Sequence, residues 1–137
     1  MSLIASLTSP VGLRRVLWAD ALSGSGTAVL HLALAGSLSS LLGLPGALLS
    51  ASGILLLLYV ALAGTLALQA VPSRALLGAL VIGNFAWMVA CLVLLFGGQV
   101  TPTPLGQAYL VVQAVAVLVL AELQWMALRR RQPAALA

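Results

Sequence analysis

Long apolar stretches, each interrupted by a short group of Pro, Gly, Ser or Thr, run along almost the whole chain. They are continuous rather than alternating, so they read as helices, and a membrane barrel would need more segments of strict alternation. Ser9-Pro10 opens a first run over 10–36. The stretch LLGLPG at 41–46 ends it, and Pro45 restarts a second run over 46–70. Val71-Pro72-Ser73 turns into a third run over 73–97, which closes on Gly97-Gly98, and Thr101-Pro102-Thr103-Pro104 leads into a fourth over 104–130. Proline at or near a first helical position with Ser or Thr before it is a helix-start signal, because the missing N–H is one the first turn does not use. Each run holds about 24 to 27 residues, or roughly 36 to 40 Å, which crosses a hydrocarbon layer of about 30 Å with some tilt. The expected fold class is an all-α membrane protein, a single four-helix transmembrane bundle over residues 1–137.

Composition agrees: 63% of the residues are hydrophobic, 6% are charged and the mean hydropathy is +1.20. Four spans leave only short loops and tails. All six basic residues are arginines, and without a lysine neither a retinal Schiff base nor lysine nucleophilic catalysis is open to this sequence. Cys91 is the single cysteine, so a disulfide or a multi-cysteine metal site cannot form within it, and its expected role is that of a small buried apolar residue. The net charge of +4 comes from where the arginines stand. Arg14 and Arg15 precede the first apolar core, Arg74 opens the third run, and Arg129, Arg130 and Arg131 close the fourth, while the other two loops carry no charge. The positive-inside rule then places both termini and the middle loop in the cytoplasm, with the arginines meeting anionic head groups rather than nucleic acid.

The N-terminal region offers a competing reading. Arg14-Arg15, an apolar stretch and Ala33-Leu34-Ala35 imitate a secretory signal, but Asp20 and His31 interrupt the apolar part, so retention is expected. Apolar positions 1, 3, 4 and 7 of the first eight residues fit a short interfacial turn.

Polar residues inside the apolar runs carry the chemical information. Asp20 lies about 9 Å beyond Arg14, and Glu122 about 10 Å before Arg129, so the two acids share a depth. An acid at mid-span costs about 2.5 to 3.5 kcal/mol, so each is expected to face the interior with a partner. The plain reading gives them Arg14, Arg15, Arg74 or Arg129 reaching inward, and the sharper one a proton or substrate role. Asp20, Ser23, Gly24, Thr27 and His31 fall on one stripe of the first helix at 100° per residue. That stripe packs against neighbours, with Gly24 permitting close approach and Ser23 and Thr27 hydrogen bonding across helices, or lines a polar track about 16 Å long. Asn84 shares a face with Trp87 and Cys91 in the third helix. In the fourth, Gln113 and Gln124 lie on one side and Glu122 on the opposite one, which predicts one side for the core and one for another subunit. The second helix, with Gly53, Tyr59, Gly64 and Thr65, reads as a packing helix, and Trp18, Trp125 and Tyr109 fit aromatic belts.

No catalytic constellation emerges. SGSGT at 23–27 lacks the strand-to-helix setting and the lysine of a phosphate loop, and Ser23, His31 and Asp20 lie along a single helix with acid and imidazole too far apart for a triad. His31 is a lone imidazole without a second ligand, so no metal and no cofactor is expected. The chain is expected not to be an enzyme.

The segments LWADALSG (17–24), IGNFAW (82–87) and AELQWMALRRR (121–131) resemble a group of uncharacterised small four-span integral membrane proteins of bacteria, and the layout is more loosely similar to DoxX-like four-helix proteins. The resemblance implies a multi-pass protein of the bacterial inner membrane and carries no activity with it. Its partners are expected to be the lipid bilayer and other membrane subunits or further copies of itself. The leading functional expectation is therefore a non-enzymatic helical bundle, an accessory subunit of a membrane assembly or a homo-oligomer. The alternative is a small oligomeric channel or proton-coupled transporter that uses the intramembrane acids.

Overall fold

The computed structural model describes residues 2–130, and Arg131 lies outside them. The described residues form six helices: α1 (Leu3–Leu7), α2 (Pro10–Ala33), α3 (Ala35–Leu42), α4 (Gly46–Leu68), α5 (Arg74–Phe96) and α6 (Pro104–Arg130). No strand occurs among them.

Local chemistry explains most of the starts. Ser9 caps α2, its hydroxyl accepting the Gly12 N–H at 3.1 Å, with Pro10 at the first helical position. The Ser73 hydroxyl accepts from Leu76 N–H at 3.4 Å at the start of α5. Thr103 does the same for Gly106 at 3.0 Å ahead of Pro104 and α6. Each oxygen satisfies a first-turn N–H that has no partner within its own helix. The short α1 begins in the same way, the Ser2 hydroxyl accepting from Ala5, and packs against the start of α2.

The first run differs from its expected extent of 10–36. The chain leaves the helix at Leu34, with φ −120° and ψ 24°, and resumes as α3 at 95° to α2. No proline stands at the bend. What fixes it is the landing place of α3 against α4 and α6. The Leu42 carbonyl accepts the Thr103 N–H at 3.0 Å, and the Thr103 hydroxyl donates to the Leu41 carbonyl at 2.6 Å. A Cβ at Gly106 would fall on the Leu42 carbonyl oxygen, so glycine is what permits the contact. Gly43 then reverses the chain at φ +67°, a left-handed conformation that a side chain resists.

α4, α5 and α6 are each long and apolar enough to cross a membrane, and α2 with α3 would make a fourth, broken span. The helices form two tightly packed pairs, α2 with α4 and α5 with α6, which touch each other much less. Small residues bring the first pair together: a Cβ on Gly24 would meet Val60, and one on Gly53 would meet Leu32 and His31. Arginines tie off the ends of the same pairs. Arg14 of α2 donates to the Gln69 carbonyl at the end of α4 at 3.2 Å, and Arg74 of α5 donates to the Leu128 carbonyl in the last turn of α6 at 3.1 Å. A cation there complements the unpaired carbonyls and the negative end of the helix dipole.

Two apolar clusters close the bundle at its ends. Leu13, Leu17, Leu66, Leu77 and Leu80 pack at the arginine end. Leu42, Leu44, Leu49, Leu110 and Cys91 pack beneath α3 at the other.

Candidate functional site

Between the two clusters the helix pairs stay apart and enclose a cavity of about 540 Å³ lined by α2, α4, α5 and α6. The polar stripe of α2 faces it: Asp20, Ser23, Gly24, Thr27 and His31 all line the wall. From the opposite pair Asn84, Trp87 and Cys91 of α5 and Tyr109 and Gln113 of α6 complete the polar and aromatic lining, and most of the remaining wall is Leu and Ala. Ser23, Leu55, Ala90 and Ala116 line the cavity and are nevertheless exposed, so it opens to the outside of the bundle.

Asp20 anchors the end nearer the arginines. Its Oδ2 accepts from Gln124 Nε2 at 2.6 Å and from Asn84 Nδ2 at 3.0 Å, and the second Asn84 N–H goes to Gln124 Oε1 at 3.0 Å. Tyr59 has one hydroxyl hydrogen, and the Leu80 carbonyl at 3.0 Å receives it in preference to Asp20 at 3.5 Å. Asp20, Asn84 and Gln124 are all buried. The donors converge on a single carboxyl oxygen. Asp20 Oδ1 and the Asn84 carbonyl oxygen take no hydrogen bond from the described residues, yet no fully buried side-chain oxygen or nitrogen among those residues lacks a partner. Both oxygens therefore keep a little accessible surface although their residues are buried, and both residues line the cavity.

His31 anchors the other end, beneath α3. Its Nδ1 lies 2.8 Å from Ser52 Oγ and its Nε2 2.5 Å from Tyr109 OH. The Ser52 hydroxyl donates to the Leu49 carbonyl at 2.8 Å, which uses its one hydrogen. Ser52 must then accept from His31 Nδ1–H, and Tyr109 must donate to Nε2. One neutral tautomer satisfies the whole chain. Beside it, Trp87 Nε1 donates to Gln113 Oε1 at 2.8 Å.

Several expectations require correction. Neither acid pairs with an arginine among the described residues; Asp20 is held by amides at its own depth, and the guanidinium groups of Arg14 and Arg74 go to helix-end carbonyls instead. Glu122 does not face the interior: it is exposed on the outer side of α6, while Gln124 is buried and Gln113 half-buried on the inner side. Ser23 and Thr27 donate within α2, to the carbonyls of Asp20 and Ser23, rather than across helices. Tyr109, half-buried near the start of α6, is a hydrogen-bond partner of His31. Arg15, Arg129 and Arg130 are exposed at the arginine end.

Ser52 is not singled out by the sequence and Tyr59 reads there only as a packing residue, because nothing in the apolar pattern of α4 tells which of its faces meets the cavity. Gln124 could have been linked to Asp20, since it stands about 8 Å from Arg129, almost the depth at which Asp20 stands from Arg14.

Among the described residues no group of three His, Cys, Asp or Glu side chains is placed to hold a metal ion. No family model, curated protein or solved structure matches this chain, so the resemblance to small four-span membrane proteins rests on its short motifs alone.

Proposed function

We propose that this protein is a non-enzymatic, four-span integral protein of a bacterial cytoplasmic membrane, with both ends at the cytoplasmic face, that admits a small lipid-soluble solute into its interior as a carrier or channel. The observation that carries this reading is the convergence of the α2 stripe, Asn84 and Gln113 on one open cavity. A volume of about 540 Å³ with apolar walls and a few placed polar groups matches the usual character of small-molecule sites. Polar groups kept only for packing would be expected to bond across a closed interface. The one-sided arginines support the orientation.

Cys91, buried in the cavity wall, supplies the test. N-ethylmaleimide, small and membrane-permeant, should modify it in intact membranes, and filling the cavity by Ala90→Phe or Ala116→Phe should slow that reaction at least tenfold. A Cys91 that is inert in folded protein and reacts only after unfolding would overturn the reading.

A second reading rests on Glu122. An acid exposed on the outer face of a membrane helix, about 10 Å from the arginine end, is stabilised by a neighbouring subunit, which suits a homo-oligomer or an accessory subunit. Chemical cross-linking in membranes tests it: Glu122→Gln should weaken a defined oligomer, and monomer alone for both forms would exclude it.

A further inference from the structure

We propose that the cavity binds an organic ammonium ion on an apolar body, with the N–H groups seated on Asp20 Oδ1 and the Asn84 carbonyl oxygen. This rests on the reading of the cavity as a solute site and names the chemical class of the solute.

The end groups of the cavity decide the class. At the His31 end each hydrogen of the chain from Tyr109 through His31 and Ser52 to Leu49 is already given to a neighbour, so that chain offers a ligand no donor and no charge, only the spare lone pairs of two neutral hydroxyls. At the Asp20 end Gln124 and Asn84 both donate to Oδ2, which leaves two acceptor oxygens and no donor facing the cavity. With the carboxyl ionised, neither acceptor can serve the other. Only a donor-bearing occupant completes them, and a cationic donor is favoured because a carboxyl group is one of the two.

Two oxygens are too few for a dehydrated metal cation, which takes about six. They suit an ammonium, which presents up to three N–H donors in a small volume. Tyr59 lines the same region and Trp87 stands one turn beyond Asn84, so aromatic rings border the path of the cation. The Leu and Ala walls and the length of about 16 Å between Asp20 and His31 then select an apolar body of drug-like size over a small hydrophilic amine.

The experiment uses phenylbutylammonium and its neutral counterpart phenylbutanol as probes on the full chain in detergent and in vesicles. Binding is read from Trp87 fluorescence in a Trp18→Phe, Trp125→Phe background and, independently, from protection of Cys91 against N-ethylmaleimide. The amine should bind at least tenfold more tightly than the alcohol, Asp20→Asn should abolish that preference, and Asp20→Glu should retain part of it. Equal affinity of the two probes in the unaltered protein would overturn the proposal, and so would a preference that survives Asp20→Asn. The comparison in the unaltered protein decides even where a variant fails to fold. If both probes protect Cys91 equally, the cavity reading stands and the ammonium fails; if Cys91 cannot be reached at all, both fail.

Discussion

The two ends of the cavity use buried polar side chains to opposite effect. Beneath α3, His31, Ser52 and Tyr109 form a chain in which each polar hydrogen is given to a neighbour and no net charge is left. Toward the arginines, Asp20, Asn84 and Gln124 satisfy one another on one side only, and a carboxyl oxygen and an amide oxygen keep a little accessible surface. A buried network that is complete rigidifies the structure, whereas an incomplete one is costly unless something else completes it. The contrast teaches where to look for a ligand. A polar residue inside a bundle becomes informative when its hydrogen bonds are counted, and the conspicuous histidine is the less available of the two anchors.

Mutations can break or sharpen that contrast. The largest effect is expected from Asn84→Leu, which removes one donor from the Asp20 carboxyl and one from Gln124 within a buried group; equilibrium unfolding in mixed micelles should show a loss of about 3 kcal/mol, as for hydrogen bonds to a charged partner. Next comes Gly106→Ala, which drives a methyl group against the Leu42 carbonyl and should loosen α3 over the His31 end, at about 2 kcal/mol and with faster amide hydrogen exchange in residues 35–42. Tyr109→Phe withdraws a single neutral bond from His31 and should cost about 1 kcal/mol in the same unfolding measurement. Asp20→Asn should change stability least, by about 0.5 kcal/mol or less in either direction, because an asparagine oxygen can still accept from Gln124 and Asn84 while the buried charge is removed. A loss of several kcal/mol in that last variant, measured by thermal unfolding, would make Asp20 a structural keystone and erase the difference between the ends.

Much of the site's layout is legible in the sequence. The spacing of Asp20, Ser23, Gly24, Thr27 and His31 put them on one stripe, and all five line the cavity. Asn84, Trp87 and Cys91 shared a face for the same reason, and Glu122 was opposed to Gln113. Helical periodicity accounts for these, since 100° per residue sets which side chains travel together whatever they meet. Partners were not legible. Arginine was expected for Asp20 on grounds of charge, but Arg14 and Arg74 already have helix-end carbonyls near the bundle surface, while Gln124 and Asn84 reach Asp20 from the facing pair at its own level.

By itself, the sequence determined the helical character of the chain, where most helices start, and which residues share each helix face. Those features depend on local chemistry: prolines, capping hydroxyls, and apolar runs long enough to span hydrocarbon. The break at Leu34, the gap between the two helix pairs and the choice of amides for Asp20 were decided only in three dimensions. Each depends on atoms far apart along the chain, such as Leu42 with Thr103 or Asp20 with Gln124, and no local preference at either partner encodes that meeting.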